Sequence, residues 1–105
     1  MQRRRAKRQY ARVERSMVKV IFTPNIQRHV RCPEAEGAGR TVREVLDNVF
    51  AENPDARSYV LDDQSALRKH MTIFVDGEGI RDRATLADAV RPSSTIYVFQ
   101  ALSGG

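Results

Sequence analysis

The last eleven residues, Thr95-Ile-Tyr-Val-Phe-Gln-Ala-Leu-Ser-Gly-Gly105, divide into two parts. Thr95 to Gln100 is rich in β-branched and aromatic residues and reads as a strand. Alternation puts Ile96 and Val98 on one face and Tyr97 and Phe99 on the other. The strand then runs into Leu102-Ser103-Gly104-Gly105. Two glycines have no Cβ, so their backbone can extend into a channel too narrow for side chains. The reactive group at the tip of such a probe is a carboxylate.

Upstream, a second strong signal is Thr41-Val-Arg-Glu44, a capping box in which the Thr side chain caps a helix and Glu44 reaches back to it. Val42, Val45, Leu46, Val49 and Phe50 follow at helical spacing and form one apolar face. Asn53-Pro54 stops the helix. Met17 to Thr23 reads as a strand, Pro24-Asn25 as a turn, and Gln27 to Pro33 as a more polar strand completing a hairpin. Glu34 to Arg40, with Gly37 and Gly39, reads as a loop. Tyr59 to Leu61 suggests brief pairing, and Asp62 to Gln64 a turn. Met71 to Val75 is a strand, ended by the turn Asp76-Gly77-Glu78-Gly79. Thr85 to Asp88 suggests a single capped helical turn, and Arg91 to Ser94 a loop. The order β-β-α-β-β predicts an α+β domain: a mixed sheet of four to five strands with one main helix packed on one face.

The chain has 105 residues, 41% apolar and 30% charged, with a net charge of +5. That length suits one domain. The charge is unevenly spread. Residues 1–16 hold seven basic residues and one acid, for +6, while residues 17–105 hold eleven basic and twelve acidic residues, for −1. The expected organisation is therefore a basic disordered arm at 1–16, a domain at 17–101, and a flexible tail at 102–105. No apolar run approaches the ~20 residues of a membrane span. One cysteine excludes an intrachain disulfide, and the basic start lacks the apolar stretch of a secretory signal. The expected compartment is the cytoplasm.

Catalytic apparatus is scarce. His29 and His70 lack the pairing of a metal site, and Cys32 has no activating motif. Asp62-Asp63 and the acids from Asp76 to Asp82 are explained by turn chemistry. The expectation is no catalytic residue and no metal.

Three stretches together resemble the ubiquitin-like β-grasp family of sulfur carriers, the MoaD/ThiS type. They are the helix Thr41 to Glu52, the segment Leu67-Arg-Lys-His-Met-Thr-Ile-Phe-Val-Asp-Gly-Glu-Gly-Ile-Arg81, and the ending Ile96 to Gly105. The segment Tyr59 to Lys69 looks like the cysteine-biosynthesis branch. The resemblance implies a carrier that is acted upon, not an enzyme. A partner resembling ubiquitin-activating enzymes would use ATP to adenylate Gly105, and a sulfur donor enzyme would convert it to a thiocarboxylate. An acceptor biosynthetic enzyme would take the sulfur. Gly104 and Gly105 would carry it, and the chain itself would bind no cofactor. Where family members often have Asp-Gly-Asp before the last strand, this chain has Arg91-Pro-Ser-Ser94.

With one helix for one sheet, the other sheet face should lie open. Tyr97 and Phe99, with Thr72 and Phe74, are expected there as a partner surface, and Leu102 continues it along the tail. Two other readings stand beside the carrier. Gly105 could be joined to lysines as a ubiquitin-like modifier, although the chain has only Lys7, Lys19 and Lys69 for self-linkage. Alternatively, the basic arm could bind nucleic acid, with a steep salt dependence. The expectation is against nucleic acid and membrane as partners.

Overall fold

The computed structural model describes residues 17–27 and 34–100. Five strands form one mixed sheet in the order β2-β1-β5-β3-β4. They are β1 (Met17–Phe22), β2 (Ala35–Ala38), β3 (Met71–Val75), β4 (Glu78–Gly79) and β5 (Thr95–Gln100). β1 and β5 are parallel and central, with Val20 opposite Ile96 and Phe22 opposite Val98. β3 flanks β5 antiparallel, with Met71 opposite Gln100 and Phe74 opposite Tyr97. Three helices, α1 (Pro24–Gln27), α2 (Val42–Ala51) and α3 (Pro54–Val60), complete the regular structure.

Alternation sorts the sheet into two faces. Val18, Val20 and Phe22 of β1, Met71 and Ile73 of β3, and Ile96 and Val98 of β5 are buried in one core. Val42, Val45, Leu46, Val49 and Phe50 of α2 join them, as the helical spacing predicts. Thr41 caps α2: the Glu44 N–H donates to its Oγ1 at 3.2 Å. The reciprocal bond differs from a capping box. The Glu44 carboxylate accepts from the Arg40 N–H at 2.8 Å, one residue earlier. The Val42 and Arg43 N–H groups donate instead to the Asp88 and Leu86 carbonyls, which ties the helix start to the loop before β5.

Three local expectations are corrected, and the helix stop at Asn53-Pro54 is met. Pro24-Asn25 opens the one-turn helix α1, in which Ile26 and Gln27 N–H groups bond Thr23 O and Gln27 Nε2 donates to Phe22 O. Ile26 is thereby buried completely. Proline suits a first helical position because its missing N–H is unneeded there. The partner of β1 is Ala35–Ala38 and not Gln27–Pro33; Gln27 lies in α1, and residues 28–33 are outside the described set. Asn53-Pro54 ends α2 but also starts α3, with Pro54 at its beginning and Ala56 and Val60 in the core. Thr85 caps no helix. Asp82 organises that segment, accepting from the Ala84, Thr85 and Ala87 N–H groups and the Thr85 hydroxyl.

Gly37 explains why β2 can be a strand of small residues. A Cβ there would lie 2.9 Å from the Val45 carbonyl oxygen and 3.1 Å from Val49 Cγ2, so only glycine lets the strand pack this closely on α2. Asp76 and Gly77 both take positive φ, 51° and 89°, in the two-residue turn joining β3 to β4. The arm 1–16 and the tail 102–105 lie outside the described residues.

Candidate functional surface

The sheet face away from the helices carries the aromatic residues. Tyr97 and Phe99 are the exposed large apolar side chains of the described residues, each 37% exposed. Register explains their company. Tyr97 lies opposite Phe74 on β3 and Ile21 on β1, and Phe99 lies opposite Thr72. Phe74 is thus the diagonal neighbour of Phe99, within reach of an aromatic ring. The Phe74 and Phe99 rings meet edge-on at 5.4 Å, and Tyr97 and Phe99 lie 6.1 Å apart. Phe74, Tyr97 and Phe99 therefore form one patch, as alternation predicts. It lies beside the end of β5. Leu102, Gly104 and Gly105 fall outside the described residues, as do His29 and Cys32.

The acidic residues serve turns. Asp62 Oδ1 accepts from the Gln64 and Ala66 N–H groups at 2.8 and 3.0 Å. Asp76 accepts from Ser94 Oγ at 2.8 Å and the Thr95 N–H at 3.0 Å, anchoring the start of β5. The Thr95 bond, then the Ser94 bond, holds the Asp76 carboxyl below its ordinary value. The Thr85 hydroxyl and N–H, with further amides, hold Asp82 down at about 2. Among the described residues, no three of His, Cys, Asp and Glu cluster as metal ligands would. No described helix is long and apolar enough to cross a membrane.

One contact at the tail's root has no counterpart in the sequence reading. The Tyr59 hydroxyl, on the last turn of α3, donates to Gln100 Oε1 at 2.7 Å. The Tyr59 ring also meets His70 edge-on at 6.3 Å. These groups are 41 positions apart in the chain, and no local pattern signals such a pair.

The mixed sheet thus has β1 and β5 parallel at its centre and α2 packed on one face. A crystal structure of SAMP1 from Haloferax volcanii matches at a TM-score of 0.71 with 20% identity, covering 85% of this chain and 99% of that one. The fold is the ubiquitin-like β-grasp. The solution structure of small archaeal modifier protein 1 from Methanosarcina acetivorans is similar at 0.68, with 25% identity over 86% of this chain and 97% of that chain. A chain of the BexX/CysO complex from Amycolatopsis orientalis matches at 0.71, with 22% identity over 84% and 99%. The sequence matches no family model and no curated protein. At such identities the likeness is one of fold. It bears out the expected β-grasp architecture, and CysO is among the structures the chain resembles.

Proposed function

We propose that the protein is a sulfur carrier whose Gly105 carboxylate is the working group. An activating enzyme attacks ATP with that carboxylate, releasing pyrophosphate and leaving an acyl adenylate. A sulfur donor displaces AMP, and Gly105 is left as a thiocarboxylate. An acceptor biosynthetic enzyme then takes the sulfur, in the cytoplasm. Partners supply the catalytic groups, and ATP is bound by the activating enzyme and not by this chain.

The observation that carries the reading is the alignment of three features on one strand. β5 is central and fixed by pairing on both sides, its outward residues Tyr97 and Phe99 belong to an exposed aromatic patch, and its continuation ends in Gly104-Gly105. A partner gripping the patch would receive the tail beside it. Aromatic anchors commonly dominate such docking. The β-grasp fold it has in common with CysO, solved in complex with BexX, agrees with a carrier that works by docking. The test is the intact mass of the chain after incubation with ATP, sulfide and the activating enzyme. It should rise by the difference between one sulfur and one oxygen, and omission of ATP should abolish the rise. An unchanged mass with an active enzyme would defeat the reading.

A second reading, attachment of Gly105 to lysines of other proteins, is favoured by the likeness to structures named as small archaeal modifier proteins. Its signature is a Ser-Gly-Gly remnant on lysine side chains after chymotryptic cleavage at Leu102, which a pure sulfur carrier does not leave.

A further inference from the structure

We infer that Tyr59 is a positioning residue: its hydroxyl bond to Gln100 fixes the end of β5 that precedes residues 101–105 in the chain. The inference rests on the carrier reading and adds a part to it. Gln100 is the last residue of β5, opposite Met71 at the start of β3. The last residue of a strand is where pairing frays most readily. Here its side chain is held from a different element. Tyr59 stands on the final turn of α3, half-buried and packed against the core, and its hydroxyl reaches Gln100 Oε1 at 2.7 Å. The ring that carries this hydroxyl is braced edge-on by His70, one residue before β3. α3, the entry to β3 and the exit from β5 are thereby joined at one spot.

The consequence concerns docking and not chemistry. Residues 101–105 follow Gln100. With the clamp in place, Gln100 and the strand end behind it are already ordered when a partner docks. Loss of the clamp leaves them to be ordered on binding, and ordering costs affinity. Once docked, the carboxylate occupies the same place in either case. The clamp should therefore act on KM for the carrier and leave kcat unchanged. The expected size is that of one neutral hydrogen bond, a rise in KM of about 2- to 12-fold.

The experiment uses the full chain and its activating enzyme, followed by ATP–pyrophosphate exchange at varied carrier concentration. Tyr59→Phe keeps the ring and removes only the hydroxyl. Gln100→Leu removes the acceptor, while Gln100→Glu retains an oxygen in its place. Tyr59→Phe and Gln100→Leu should each raise KM with kcat unchanged, the double variant should be no worse than either alone, and Gln100→Glu should restore most of the affinity. Amide hydrogen exchange of Val98 to Gln100 should quicken in Tyr59→Phe while that of β1 stays as in wild type. A loss confined to global stability, with KM and the exchange at Gln100 unmoved, would overturn the inference. So would additive effects of the two substitutions. Deleting Gly105 separates the two ideas. If the deletion is inactive while Tyr59→Phe behaves as wild type, the clamp fails and the carrier stands. If the deletion is fully active, both fail.

Discussion

Phe99→Ala separates a docking patch from a merely packed one. Phe99 is 37% exposed, and its ring meets Phe74 at 5.4 Å and Tyr97 at 6.1 Å. Each aromatic pair contributes about 0.5–1.5 kcal/mol beyond burial. The space left by truncation is open to water, so no closed cavity adds to the loss. The stability cost should be about 1–3 kcal/mol, below the ~3–5 kcal/mol of a fully buried phenylalanine. Most small domains tolerate that. If the ring anchors a partner, its loss should also weaken docking by at least about 2 kcal/mol, or about 30-fold in KM for the activating enzyme. A stability-matched control lies on the other face. Val49 is buried in α2, and Val49→Ala should cost about 1–3 kcal/mol through a cavity. Urea denaturation and ATP–pyrophosphate exchange, run on both variants, give the answer. Similar losses of stability with a KM defect in Phe99→Ala alone support the patch. A wild-type KM for Phe99→Ala, or an equal defect in Val49→Ala, refutes it.

Gly37→Ala forces a Cβ to within 2.9 Å of the Val45 carbonyl oxygen; overpacking of about 1–3 kcal/mol offsets the ~0.4–1 kcal/mol gained in the unfolded chain, for a net loss of up to about 2.6 kcal/mol. Gly79→Ala, in open space, should leave the urea midpoint nearly unchanged, and equal midpoints for the two would contradict the close β2–α2 packing. Asp82 has its folded pKa lowered from 3.8 to about 2, so its contribution is present above about pH 4 and is lost as pH falls through about 2. The urea midpoint of the wild type should drop across that window, and Asp82→Asn should be less stable at neutral pH and flatter within it; parallel curves would sink this assignment. A chain beginning at Met17, where β1 starts, should fold and be activated like the full chain, and a large rise in its KM would make the basic arm part of the docking surface.

The elements legible in the sequence were those whose side chains report their own burial. β1, β3 and β5 alternate, α2 has its five apolar residues at helical spacing, and Tyr97 and Phe99 emerge where alternation puts them. β2 was illegible because Ala35-Glu-Gly-Ala38 has little β propensity; it is a strand because Gly37 lets it lie against α2, a tertiary cause. Asn53-Pro54 was legible as the stop of α2, but not as the start of α3, because a proline after one helix can also open the next. At Thr85 the sequence offered a plausible cap, but Asp82, three residues earlier, captures the same amides. The aromatic patch was readable from a period of two. The Tyr59–Gln100 bond was not, because it joins residues that only the packing of α3 against the sheet brings together.

The central claim is that Gly105 is the working group. Deleting it shortens the chain's reach by roughly 3.3–3.6 Å, enough to withdraw the carboxylate from a partner's site. The measurement is intact mass, with fragmentation to locate any change, for the full chain and the chain lacking Gly105 after incubation with ATP, sulfide and the activating enzyme. The account predicts that the full chain exchanges one oxygen for one sulfur at Gly105 and that the shortened chain, still folded, keeps its starting mass. Sulfur gained as readily by the shortened chain, or an unchanged mass for the full chain with an active enzyme, would contradict it.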